Sequence, residues 1–321
     1  MYRIILLALL AAMCLLYSGC AYVNIALISE PGPLQEKVVD GEGDRKILLM
    51  DVTGIISEEK RCKLGLREEI SMVDEFRESL KKARGDKKIA GLVIRINSPG
   101  GTITASDILR HEILEYKKKT GVRVVACMMD VAASGGYYVA TAADEIVAHP
   151  TTITGSIGVI VVKFNVQGLF GKIGVDTETI KSGDKKDMLS PFRPATPEEI
   201  QVVQTIIDQM NGRFIDVIVD GRRPLSREAV VKLADGRIYT ADQALGLKLI
   251  DRVGYLDNAI EGVKNSLNLE KASVVVYHRA GSYKGSIYSE AGGNTTVVNI
   301  LPQDLENLMP RGMQFMYLWA P

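Results

Sequence analysis

The sequence predicts an α/β protein built on a mostly parallel sheet. Two observations carry that expectation: apolar runs of strand length alternate with amphipathic helical stretches, and glycine-rich turns stand where two of the runs end. The runs are KILLMDVTGII from Lys46, KIAGLVIRI from Lys88 and VRVVACMM from Val122. Their interiors are nearly continuous in apolar residues, as expected of strands buried on both faces.

Each element follows from local chemistry. Leu66, Ile70, Val73, Phe76, Leu80 and Ala83 recur at threes and fours, and Lys81, Lys82 and Arg84 precede Gly85. This predicts an amphipathic helix over 66–83 with cations at its C-terminal end and a glycine stop. Ala105, Leu109, Ile113 and Tyr116 form the inward face of a second helix. EIVAH (145–149) and VDTETI (175–180) are strand-like. Thr196 caps a helix that has Pro197 first and Glu199 third, with Ile200, Val203, Ile207, Met210 and Phe214 as its core face. SREAVVKLADG and TADQALGLKLI read as shorter helices, and ASVVVYHR as a late strand. In such sheets function collects at the carboxyl ends of strands. Two loops stand there, NSPGG (97–101) and DVAASGG (130–136).

Composition sets the outer bounds. The 321 residues are 46% hydrophobic and 24% charged, which suits a globular chain rather than a disordered one. Lys plus Arg and Asp plus Glu both number 39, so no global field favours nucleic acid. Arg3 followed by an apolar run from Ile4 to Leu16 and by Tyr17-Ser18-Gly19-Cys20 reads as an export signal over 1–19. Those last four residues resemble a bacterial lipoprotein box, departing from it at Tyr17, and imply lipidation of Cys20. The alternative is an uncleaved anchor over 4–28. Either reading places the body outside the cytoplasm, tethered to a membrane and facing the periplasm or extracytoplasmic space. Residues 20–45 contain the Pro-, Gly- and charge-rich stretch SEPGPLQEKVVDGEGDR and are expected to be a linker. Cys62 and Cys127 alone remain in the body, too few for a disulfide framework or a zinc site, and their pairing is open.

Ser134, between small residues at a strand-to-helix switch, is the candidate nucleophile. A serine hydroxyl needs a neighbouring base. Of His111, amid the charges of the second helix, His278, after a C-terminal strand, and His149, before Pro150 at the end of EIVAH, only His149 is a plausible histidine base. The alternative is lysine, from Lys181, Lys185 or Lys186 in IKSGDKKDMLSPFRP. A lysine base must be neutral, and lowering its pKa from about 10.4 to about 7 costs roughly 4.6 kcal/mol, so its site must be enclosed.

NSPGG (97–101), AASGGYYVA (132–140), TGSIGV (154–159) and KSGDKKDMLSPFRP (181–194), in this order and spacing, resemble the signal peptide peptidase A (protease IV) family of serine proteases in its short bacterial form. The resemblance spans about 46 to 260. It implies a ClpP/crotonase-like α/β fold and a Ser-Lys dyad with Ser134 as nucleophile and Lys186 as base. It further implies that Ser156 orients the lysine and that the N–H groups of Gly101 and Gly135 form the oxyanion hole. Glycine suits that task because backbone donors must approach the oxyanion within about 3 Å, and a side chain there would obstruct substrate.

The expectation is a membrane-tethered serine endopeptidase acting on hydrophobic peptides such as released signal peptides, with a protease domain over 46–281 and no cofactor or metal. Homo-oligomers, with eight copies in the short form, are implied by the same resemblance. The C-terminal tail over 282–321 is expected either to serve that interface or to pack on its own subunit. A peptide-binding scaffold without activity is the competing reading. An acyl-CoA hydratase or isomerase of the same broad fold is disfavoured for an exported chain.

Overall fold

The computed structural model describes residues 32–59, 62–63, 67–68, 70–279, 285–289 and 314–319. Its strands are β1 (Gln35–Asp40), β2 (Lys46–Thr53), β3 (Cys62–Lys63), β4 (Arg67–Glu68), β5 (Ile89–Ser98), β6 (Gly100–Thr102), β7 (Arg123–Ala133), β8 (Glu145–Ala148), β9 (Ile153–Gly155), β10 (Ile238–Thr240), β11 (Arg252–Val253), β12 (Ser273–His278) and β13 (Met316–Leu318). Its helices are α1 (Met72–Arg84), α2 (Ile103–Thr120), α3 (Gly135–Ala140), α4 (Gln167–Lys172), α5 (Pro197–Gly221), α6 (Arg227–Leu233), α7 (Ala241–Gly246) and α8 (Leu256–Ser266).

The main sheet runs β1-β12-β2-β5-β7-β8-β11. Every pair along it is parallel except β1 with β12 at one edge. The continuous apolar runs are explained by burial on both faces. In β2, Leu48, Met50 and Val52 join one core with Phe76, Leu109 and Tyr116, while Ile47 and Leu49 join another with Ile260 and Val263. The sheet is therefore sandwiched, as the α/β expectation requires.

Strand β7 forks. Val125–Met128 pair with β8, whereas Val131–Ala133 pair with β9. Its end is thus paired on that side with a different strand of the same sheet from its beginning, and Ser134 follows directly after it.

Some boundaries differ from expectation. Helix α1 starts at Met72 rather than near Leu66, because the Ser71 hydroxyl accepts the Asp74 N–H at 3.1 Å and caps it there. Within the stretch read as linker, Gln35–Asp40 forms edge strand β1 on β12. Its side chains are exposed or half-buried, so it carries no apolar signature. VDTETI forms no strand, and Ile180 in it is 96% exposed. On α5, Val203 and Phe214 are buried as expected, but Ile200 faces solvent. Cys127 is a free, buried thiol whose pKa is pushed up to about 12 by burial.

Among the described residues no helix is long and apolar enough to cross a membrane. The export segment and Cys20 lie outside those residues.

Candidate active site

Ser134 stands at the turn from β7 into α3 with φ 51° and ψ −116°. A non-glycine residue at positive φ is strained by about 1–3 kcal/mol and persists only where its surroundings over-determine it. Here the Ser134 N–H donates to the Gly155 carbonyl at 2.7 Å, and the Ser134 carbonyl accepts the Tyr138 N–H at 2.9 Å. The residue is buried, and its Oγ has no hydrogen-bond partner among the described residues. A buried hydroxyl left unpaired is itself unfavourable. Strain and an unpaired hydroxyl thus coincide at one position.

The NSPGG loop is fixed beside it. Asn97 Oδ1 accepts the Val131 N–H at 3.2 Å, and the Ser98 hydroxyl donates to the Gly54 carbonyl at 2.6 Å while accepting the Gly100 N–H at 3.1 Å. The Gly100 and Gly135 loops touch: a Cβ added to Gly100 would lie 2.8 Å from the Gly135 nitrogen. A Cβ on Gly101 would meet the Ile56 carbonyl oxygen at 2.0 Å, and one on Gly135 would meet Ser106 Oγ at 2.5 Å. The nearest obstacle to a side chain at these two glycines is therefore the protein itself, and close backbone packing joins clearance for substrate as their physical reason. Ser156 follows β9 with φ 49° and donates its N–H to the Arg237 carbonyl at 2.7 Å. The structure thus gathers Ser134, Gly101, Gly135 and Ser156 around the end of β7.

Lys186 makes no hydrogen bond to them among the described residues. Lys186 lies exposed on a turn, its N–H donating to the Gly183 carbonyl at 3.0 Å. Its neighbours are tied elsewhere: Lys181 pairs with Asp187 at 2.7 Å and Lys185 with Glu198, whereas Lys186 Nζ makes no bond among the described residues. His149 Nδ1 bonds Thr151 Oγ1 at 2.8 Å, its ring stands edge-on to Tyr255, and it makes no hydrogen bond to Ser134 Oγ.

The sequence reading overlooked Arg193. Its guanidinium bridges Asp187, at 2.9 and 2.8 Å, to Glu199, at 3.0 Å. Glu199 also accepts the Thr196 N–H at 2.9 Å, closing the capping box of α5. The segment bearing Lys186 is thereby locked to the start of a long helix. The available signal was an arginine three residues before a helix cap whose third residue is a glutamate.

Arg193, and then the Thr196 N–H, holds the Glu199 carboxyl down at about 2. The Asp187 carboxyl is held below the usual range, first by Arg193 and then by Lys181. Depressed carboxylates contribute stability that is present above their ordinary range and lost only as pH falls through their folded values. The lock is expected to survive at pH 4. Arg193→Ala is expected to lower kcat/KM about 10- to 100-fold and to make local order near Lys186, followed by hydrogen exchange, fail at higher pH than in the wild type. Unchanged turnover and exchange would remove Arg193 from this role.

Residues 116–270 match the model of peptidase family S49. An Enterococcus faecium sequence named signal peptide peptidase SppA is 36% identical over 264 residues, covering 81% of this chain and 76% of that one. Protease 4 of Salmonella typhi is 31% identical, covering 72% of this chain and 37% of that protein. The chloroplastic serine protease SPPA of Arabidopsis thaliana is 36% identical, covering 71% and 34%. Among solved structures there is a similarity to a mutant of the 1510-N membrane-bound stomatin-specific protease, with 16% identity and a TM-score of 0.45, over 70% of this chain and 86% of that one. With a strained serine at a strand end, two glycine loops in contact beside it and relatives of this kind over most of its length, the chain belongs to peptidase family S49, the SppA family of serine peptidases.

Proposed function

We propose that the chain is a membrane-tethered serine endopeptidase with a Ser134–Lys186 dyad, acting on hydrophobic peptides that include released signal peptides. In this reading Lys186 takes the proton of Ser134 Oγ, which attacks the peptide carbonyl. The N–H groups of Gly101 and Gly135 stabilise the oxyanion, Ser156 orients the lysine, and water hydrolyses the acyl-enzyme. The observation that carries the reading is the buried hydroxyl of Ser134, without a partner among the described residues, at a strained turn beside the two glycine loops.

Because Lys186 is exposed while Ser134 Oγ is buried and has no partner among the described residues, the reading has a second copy complete the site. The segment bearing the lysine favours this: Val162, Phe164, Leu169, Ile173 and Ile180 are all more than half exposed. Apolar surface of this kind marks an interface. Burial between copies would also supply the enclosure that a neutral lysine needs. The lack of a hydrogen bond between Lys186 and Ser134 in one chain is what favours a binding scaffold without activity.

The reading is tested by incubating the full-length protein in mild detergent with a synthetic signal peptide. Cleavage within the apolar stretch, followed by mass spectrometry, is the expected result. A peptide that stays intact with a folded, assembled protein would leave the scaffold reading in its place.

A further inference from the structure

The sheet loses its even spacing just before Ser134. Ile96 of β5, Met128 of β7 and Ala148 of β8 stand in register, and farther along Ser98, Ala132 and Thr154 of β9 do so again. Between those two rungs β5 advances two residues, from 96 to 98, β7 four, from 128 to 132, and the chain through β8 and β9 six, from 148 to 154. Each strand takes a longer path than the one before it, and β7 carries a two-residue bulge against β5. Because the excess is even, the alternation of faces survives: Met128 and Ala132 join one core, while Met129 packs against the other. Ser134 follows at once, so the bulge decides where its hydroxyl is delivered.

A bulge takes backbone groups out of the regular ladder, and here side chains from both flanks serve them. From the β5 side, Asn97 Oδ1 accepts the Val131 N–H at 3.2 Å. From the other side come Thr152 and Thr154, both fully buried. The Thr152 hydroxyl lies 3.0 Å from the Met128 carbonyl oxygen and 2.5 Å from that of Met129, sharing its one proton between them. The Thr154 hydroxyl donates to the Ala132 carbonyl at 2.6 Å. Thr152 is itself fixed, its N–H donating to the His149 carbonyl at 2.9 Å. Gly155 then accepts the Ser134 N–H, and Ser156 comes next in the chain. One short stretch, TTITGS (151–156), therefore ties together the bulge, the candidate nucleophile and the serine assigned to the lysine.

We infer that Thr152 is a positioning residue for the reaction: its hydroxyl pins the bulge of β7 and so fixes where Ser134 stands against Ser156. The inference rests on the proposed assignment of those two serines to catalysis. Thr152 bonds the backbone of Met128, Met129 and His149, so it acts through the bulge and not on the reacting atoms. Valine has nearly the same shape as threonine, but it cannot donate, and a buried carbonyl left without its donor is unfavourable. Displacing reacting groups by on the order of 1 Å costs about a hundredfold in rate, so a loosened bulge shows in turnover rather than in peptide binding.

The test compares the full-length wild type with Thr152→Val and Thr152→Ser on a synthetic signal peptide in mild detergent, separating kcat from KM. Thr152→Val is expected to lower kcat about 10- to 100-fold with KM within about threefold of wild type, and Thr152→Ser, which keeps the hydroxyl and loses the methyl, to return kcat to within about threefold. A valine variant with wild-type kcat overturns the inference while leaving the peptidase intact. So does a serine variant as slow as valine, since the methyl and not the hydroxyl would then be what matters. A second measurement needs no catalysis: amide hydrogen exchange over residues 129–134, followed by mass spectrometry in the absence of peptide. Exchange at least about tenfold faster there in Thr152→Val, but not in Thr152→Ser, supports the pinned bulge even if no peptide is cut, in which case the peptidase reading alone fails. Equal exchange in all three proteins overturns it.

Discussion

Chains carrying Ser134→Ala and chains carrying Lys186→Ala, each inactive alone, are expected to recover hydrolysis when co-expressed and purified together through different tags. Each single variant should lose at least about a thousandfold in kcat, as removal of a nucleophile or its base does. The reason to expect rescue is geometric. Ser134 Oγ is buried without a partner among the described residues, whereas Lys186 stands exposed on a segment that also displays Phe164, Leu169 and Ile173 to solvent. If each site takes its serine from one copy and its lysine from the next, random mixing leaves about a quarter of the sites intact, and that fraction of wild-type turnover should return. A mixed assembly that stays dead would place both groups within one chain, and survival of Lys186→Ala alone would move the base elsewhere.

Ser134→Gly is expected to abolish turnover and to stabilise the fold. The two effects separate a catalytic role from a structural one. Glycine accepts φ 51° without steric penalty and removes a buried hydroxyl that has no partner among the described residues. Relief of about 1 kcal/mol is the order expected for such a strained position, equivalent to an upward shift of roughly 2–4 °C in Tm. Ser134→Ala should be equally inactive but gain less, because it keeps the strained backbone. Calorimetry beside a peptide assay reads both quantities. A glycine variant within tenfold of wild-type turnover would dismiss Ser134 as nucleophile, and a lower Tm would show that the turn needs its serine for stability.

Legibility in the sequence tracked burial. β2, β5 and β7 were readable because both of their faces are covered, which writes an apolar run into the chain. β1 was not, since an edge strand with exposed side chains leaves no hydrophobic period and is held by backbone bonds to β12. The onset of α1 was decided by the Ser71 cap rather than by the apolar period that began earlier. VDTETI has alternation of the right kind but no neighbouring edge to pair with among the described residues, and it stays exposed.

The candidate site divides in the same way. By itself the sequence determined the local chemistry: a serine between small residues at a strand end, two glycine-rich loops, and a lysine-bearing segment before a capped helix. These are properties of short stretches, governed by steric allowance and hydrogen-bonding capacity within a few residues. Only the tertiary structure decided that a side chain on Gly101 would collide with Ile56, that Arg193 locks the lysine segment to Glu199, and that Tyr317 lies opposite Gly101. The first and last of those are pairings between residues far apart in the chain. Backbone hydrogen bonds and close packing carry no side-chain pattern of their own, so nothing in either partner's sequence announces the other.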